Sequence, residues 1–417
     1  MFGVSLRRIV VTAALGATAL STAGGRLHAQ VRGMSIYGYF ATRLEKTFGE
    51  PEFNGTDVVE GFAPREFGFP SLNIMVHHQL TNQFRAFVNL NGEDATQVSV
   101  ANLWGEYQPL PFVAVRFGKT YRKFGLYNEI LDAVPSYYGI EPPETFDGDH
   151  LMISRTSILM VHGQLPVGTG HSVRYALSTD NGEGGITTEG TIPLGLDLNL
   201  SLADDRFIVG VSGYTSGGVT GPDKGIGEGS PNSGVLPWMA TDDFTVVNGY
   251  AQARLQNLQV QFEYARAHHD AVRDPAAVVA LLAGTGVNAS QRARFLLDPD
   301  GGDTDEANVR TAAPYNVRVW YLRAGYSFYT GVGEIGPYLQ WDWYSNPETI
   351  ASKTFGGDNE AGVADDGVFN KGTLGMLYRP IPRVAVKLDG SVHHYTFMGQ
   401  RVNYPELRFD VSYTFGL

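Results

Sequence analysis

Between Tyr121 and His150 lie six carboxylates, Glu129, Asp132, Glu141, Glu144, Asp147 and Asp149, against two cations, Arg122 and Lys123. Elsewhere Arg43, Arg85, Arg116 and Arg408 sit in stretches where polar and apolar residues alternate, each on the polar phase. Opposed across a confined aqueous space, such sets set up a transverse field that orients dipolar solutes and excludes apolar ones. The competing arrangement is local. The acidic segment stays outside, and the arginines pair with Glu45, Glu106 or Asp410, since structural ion pairs are common. Arg43 and Arg408 belong nearer one end than Arg85, so the four need not form one ring. Tyr127, Tyr137, Tyr138, Pro142 and Pro143 would stiffen the segment against a wall.

Other candidates carry less chemistry. The pairs His77-His78, His268-His269 and His393-His394 fall in alternating stretches, where neighbours point opposite ways, so each offers at most one imidazole per face. The run Asp298-Pro299-Asp300-Gly301-Gly302-Asp303-Thr304-Asp305-Glu306 looks suited to calcium, but lacks the sixth-position glycine and twelfth-position glutamate of an EF-hand. No cofactor motif is present; the acidic loops offer a place for a divalent cation and otherwise read as solvated. Neither Gly-x-Ser-x-Gly nor His-Glu-x-x-His occurs, and no catalytic constellation stands out.

The elements that must position these residues are strands. From Leu407 every second residue is large and apolar (Leu407, Phe409, Val411, Tyr413, Phe415, Leu417), and Arg408, Asp410, Ser412, Thr414 and Gly416 lie between them. A period of two puts the two sets on opposite faces. Similar alternation predicts strands near Met34–Lys46, Ser71–Leu80, Phe84–Asn91, Thr96–Gln108, Phe112–Thr120, Leu151–Leu165, His171–Thr179, Leu194–Leu202, Arg206–Ser216, Asp243–Leu255, Leu258–His268, Asn316–Tyr329, Gly336–Tyr344, Phe369–Arg379 and Arg383–Phe397. With the terminal strand they number about sixteen. The connections after even strands are tight, and most of those after odd strands are long. The longest, about His269–Tyr315, has room for short helices at Pro275–Ala283 and Ser290–Leu297, with Ser290 as N-cap, forming a lid or receptor surface. Loops sorted this way are what a transmembrane β-barrel produces, whereas a soluble sandwich has no reason to sort them. The expected class is all-β: a closed antiparallel barrel of about sixteen strands.

Composition agrees. The 51 glycines and 12 % aromatics suit many crowded strands, and charged residues are sparse at 18 %. Met1 to Ala29 reads as a cleaved secretory signal, with Arg7 and Arg8 before an apolar run and Ala29 at the cleavage position, leaving residues 30–417 as one barrel domain. Removing Arg7, Arg8 and Arg26 takes the formal charge from −12 to −15. No basic run of nucleic-acid type appears, and there is no cysteine.

In signal, strand number, loop pattern and terminal strand, the mature chain resembles a Gram-negative outer-membrane porin, and most nearly the phosphate-selective (polyanion) porin family. Ending on Leu417 after Phe415-Gly416 departs mildly from the aromatic terminus usual there. The resemblance implies short periplasmic turns, long extracellular loops and a third loop, here Tyr121–His150, folded into the barrel to narrow the pore. It implies passive passage of small hydrophilic solutes or ions, a homotrimer, and contact with outer-membrane lipid, lipopolysaccharide and the barrel assembly machinery. The residues themselves leave two alternatives: a plugged barrel acting through its loops as a structural, adhesive or receptor protein, and a barrel enzyme acting on lipid.

Overall fold

Alternation along the chain becomes one closed antiparallel sheet of sixteen long strands in the computed structural model. The structure describes residues 33–416 except 49–50, 55–56, 61–65, 68–70, 95–96, 131–132, 147–154, 182–191, 221–235, 237, 284–288, 301–303, 349–363 and 398. The expected signal segment, and Asp132, Asp147 and Asp149 of the acidic loop, lie outside the described residues.

The strands are β1 (Met34–Thr47), β2 (Ser71–Gln79), β3 (Phe84–Asp94), β4 (Gln97–Leu110), β5 (Val113–Tyr121), β6 (Arg155–Pro166), β7 (Ser172–Asp180) and β8 (Leu194–Leu202). Then come β9 (Phe207–Thr215), β10 (Met239–Leu255), β11 (Leu258–Arg273), β12 (Ala312–Tyr326), β13 (Gly333–Ser345), β14 (Val368–Ile381), β15 (Val384–Phe397) and β16 (Gln400–Gly416). Each pairs with its neighbours in sequence, and β16 closes on β1 from Tyr37↔Gly416 to Thr47↔Glu406. Closure leaves no free edge, which a span through hydrocarbon requires because lipid offers backbone groups no partner.

The two faces sort as the alternation predicts. Leu194, Leu196, Leu198 and Leu200 on β8, Leu339 and Trp341 on β13, and Leu407 and Phe409 on β16 are exposed outward. Asp197, Gln340, Asp342, Arg408, Asp410 and Ser412 are buried inside. Even-numbered strands end in tight turns such as Gln256-Asn257, where Gln256 takes a φ of 55°. Not every odd connection is long: β3–β4 and β15–β16 are short hairpins.

Strands β10–β12 run further than expected, β10 from Met239 and β11 to Arg273. Their extra inward residues have something to pack on. Ala271, Ala313 and Tyr315 join a core with Val278 and Leu282 of helix α1 (Pro275–Leu282) and Phe295 of α2 (Ala289–Phe295). Asp274 caps α1 by accepting from the Ala276 and Ala277 amides. Ser290 is not an N-cap, because α2 begins one residue earlier.

One glycine decides the closure. A Cβ at Gly38 of β1 would lie 2.0 Å from the Asn73 carbonyl oxygen on β2 and 2.9 Å from the ring of Phe415 on β16. Phe415 is its register partner and fills the gap. Gly38→Val is therefore expected to destabilise the barrel by about 1–3 kcal/mol through overpacking. A urea titration of the refolded barrel, followed by circular dichroism, would read it; an unchanged midpoint would refute the role given to Gly38.

Candidate functional site

The loop after β5 turns into the lumen, and its backbone dictates what the wall must supply. An inward loop buries amides and carbonyls that water would otherwise satisfy. Here wall side chains satisfy them. Ser212 accepts from the Gly125 amide at 2.9 Å, Asp389 from Ile140 at 3.0 Å, Asp342 from Glu144 at 3.2 Å, and Glu263 from Leu126 at 3.3 Å. On the carbonyl side, Lys387 donates to Gly139 at 2.7 Å, Arg379 to Pro135 at 2.8 Å and Arg323 to Glu141 at 3.2 Å. Gly125, at φ +63°, packs where a Cβ would overlap the Glu263 carboxylate. Tyr127 meets Tyr137 and Tyr321 edge-on at 5.4 and 5.8 Å, and its hydroxyl donates to Gln261 at 2.9 Å and accepts from Arg323.

The four wall arginines fall into two clusters. In the first, Glu141 of the loop accepts from Arg43 at 3.2 Å, from Lys371 at 3.1 Å and from Arg408. Lys371 also reaches Glu144 at 2.8 Å, and Arg408 pairs with Glu45 at 3.1 Å and Glu406 at 2.6 Å. Burial alone would raise the Glu141 pKa, but Arg408, Lys371 and Arg43 outweigh it and hold the carboxyl down at about 2. In the second cluster, Glu106 is fully buried on the wall behind Arg85, Arg116 at 2.8 Å and His162 at 3.0 Å. Arg116 lies over the Trp104 ring at 4.2 Å and reaches Glu129 at 3.6 Å. Glu129, exposed and also paired with Lys123 at 3.0 Å, is held below its ordinary pKa by Lys123 and Arg116.

The candidate residues thus divide by role. Glu141 and Glu144 fasten the loop, together with Arg43 and Arg408. Glu129 is the described loop carboxylate that borders the open side. Local pairing of the wall arginines also occurs, through Glu106 and Glu45. Lys371, Lys387, Arg323, Asp342 and Asp389 were not singled out in the sequence. Their signal was the inward phase of strands already recognised.

Fastening the loop to β11–β16 leaves space on the other side. A cavity of about 440 Å³ is lined by Arg85, Lys123, Leu126, Glu129, Arg174, Asp197, Asn199 and Tyr250, among others. Arg174 there pairs with Asp205 at 2.6 Å. A second cavity, of about 710 Å³, lies at the turn end beneath Ala133, Pro135 and Ser136, with Tyr39, Met75 and Arg379 on its walls.

Each histidine pair on β11 and β15 splits between the faces. His269 is buried, accompanied by Asp242 at 2.8 Å and stacked on Tyr315 at 4.3 Å; His268 is exposed. His393 pairs with Glu406 at 3.0 Å and stacks on Tyr404 at 4.5 Å, while His394 is outside with Asn403. In the acidic run, Asp298 accepts from the Asp300 amide and Asp305 from the Asn308 amide.

No family model matches the chain, and no curated protein sequence does. Solved structures match in fold. The anion-selective porin from Comamonas acidovorans is 12 % identical, with 92 % of this chain and 99 % of that one covered and a TM-score of 0.55. The outer membrane channel DcaP of Acinetobacter baumannii is 9 % identical, covering 92 % and 98 %, with a TM-score of 0.53. OprB of Pseudomonas putida is 9 % identical, covering 94 % and 97 %, with a TM-score of 0.52. The shared feature is the outer-membrane barrel fold along nearly the whole chain.

The Glu141 tether has a defined pH window. A depressed carboxyl pKa contributes stability that is fully present above the ordinary value of 4.5 and is lost as pH falls through about 2. Single-channel current in a planar bilayer is expected to be steady at neutral pH and to flicker progressively as pH falls from 4.5 toward 2. Glu141→Gln should flicker already at pH 7; a quiet trace from that variant would remove the tether role.

Proposed function

We propose that the chain is an outer-membrane porin, a water-filled channel for passive diffusion of small hydrophilic solutes or ions and not an enzyme. The observation that carries this reading is the third loop, held against one side of the lumen and leaving a charged passage on the other. Export by the N-terminal signal, insertion by the barrel assembly machinery, contact with lipopolysaccharide, and a homotrimer belong to the same reading.

The passage favours anions, in keeping with the phosphate-selective resemblance. Arg85, Lys123 and Arg174 present partly exposed side chains, while Glu106 is fully covered by its cations. Glu129 and Asp205 temper that surplus. Divalent-cation binding at the acidic external loops is a subsidiary proposal, to be read from the effect of calcium on channel noise.

A specific observation favours a second reading, a plugged barrel serving as a receptor or structural protein. Inward Val246, Ala265, Ala267, Val317 and Val319 are aliphatic and form a continuous core with Phe244, Tyr321 and both helices. That core fills the β10–β12 side of the loop end.

Conductance separates the readings. Refolded protein in a planar bilayer is expected to give discrete, water-filled conductance; none at all, with a ligand bound at residues 270–314, would favour the plug. In a salt gradient, Arg85→Ala and Lys123→Ala should move the reversal potential toward cations, and Glu129→Gln toward anions. Shifts of the opposite sign would overturn the assignment of the passage.

A further inference from the structure

The outward phase of the strands carries a charge pattern that neither the lumen nor the overall composition explains. Toward the loop end, the charges on the outward phase of the described strands are Lys46, Lys119, Arg155, Arg266, Arg318 and Arg401, against Asp243 and Asp270. This surplus of cations stands on a chain of formal charge −12. A face so biased against its own protein's charge is matched to an anionic layer outside.

Two of these cations are placed where that layer must begin. Arg266 of β11 and Arg318 of β12 are direct cross-strand partners. Both are exposed. Like charges directly opposite on an antiparallel pair destabilise it, because the Cβ atoms are only about 5 Å apart. Nothing on the described protein relieves the repulsion by charge. Arg266 donates from Nε to Asn316 at 2.9 Å, a neutral partner, and Asp270, two outward rows beyond Arg266, lies near His268 at 3.6 Å. Among the described residues neither guanidinium has a carboxylate within ion-pair distance.

The depth is set by the next outward row toward the apolar band. Tyr264, Trp320 and Trp343 are register partners across β11, β12 and β13. Such a row marks the girdle at a membrane interface. Two residues along a strand rise about 7 Å, so the guanidiniums stand just beyond the girdle, at headgroup depth. The guanidinium fork pairs with phosphate oxygens through two parallel hydrogen bonds.

We propose that Arg266 and Arg318 form a binding site on the outer wall for the phosphate group of an anionic lipid headgroup. A shared phosphate replaces their mutual repulsion with two charge-assisted contacts, while the acyl chains lie along Phe262, Tyr264 and Leu322 below. This site rests on the barrel crossing a membrane and is independent of whether its lumen conducts.

The test uses the full refolded barrel in detergent micelles doped with phosphatidic acid or phosphatidylcholine, with retained lipid counted by native mass spectrometry. Wild type is expected to retain phosphatidic acid in preference. The variant with both Arg266→Ala and Arg318→Ala should bind it about tenfold less tightly, the scale of a lost charge-assisted contact. Arg318→Glu supplies a control on folding: it replaces the repulsive pair with an attractive one, so it should raise the urea midpoint while abolishing lipid retention. Equal retention of the two lipids by wild type would overturn the proposal, as would undiminished retention by either variant. If inorganic phosphate at the same concentration displaces the lipid, the ligand is a soluble anion and the lipid assignment fails.

Discussion

A peptide chain brought inside a barrel must have its backbone satisfied there, and most of the interior follows from that demand. The third loop is polar backbone folded into the lumen, where it packs against the wall. Each buried amide or carbonyl then needs a partner from the wall. Carboxylates at Glu263, Asp342 and Asp389 take the amides, and cations at Arg323, Arg379 and Lys387 give to the carbonyls. Those wall charges would be costly without the loop, and the loop could not stay without them. Loop and wall therefore stabilise one another, and neither is a fixed scaffold for the other.

The same pairing makes the lumen lopsided. Wall partners for the loop come mainly from β11–β16, and Arg43 on β1 adds to them across the closing seam. Aliphatic residues of β10–β12 fill the remaining outer space on that side. On the β3–β9 side, Arg85, Arg174 and Asn199 border the open cavity. A ring of charge around a central hole is thus replaced by a one-sided cavity, bordered by Arg85, Lys123 and Arg174.

Strand positions and facing were legible because period-two alternation is a local signal. It needs no partner strand to be read, as β8 shows with leucine at every second position. Closure of β16 on β1 was legible too, since an unbroken barrel admits no other neighbour. The roles within the acidic loop were not. Glu129 and Glu141 are twelve residues apart in one loop, yet one borders the cavity and the other lies under three cations. Which of them meets Lys371 depends on the loop's path through space. The strand ends of β10–β12 escape a local reading for a similar reason: Ala271 and Ala313 keep the inward phase, but what they pack on, the two helices, comes from the loop between β11 and β12.

The seam between β1 and β16 joins the two extremes of the folded chain. Every other strand pair can form as soon as its hairpin or loop is complete, at a closure cost that grows slowly with length. This last pair is available only after all the intervening strands exist. Until then Met34–Thr47 presents an open edge that invites pairing with any other chain. The order of events during insertion is consequently constrained. The link from Arg43 through Glu141 to Arg408 spans that seam, so it forms only when the wall is complete.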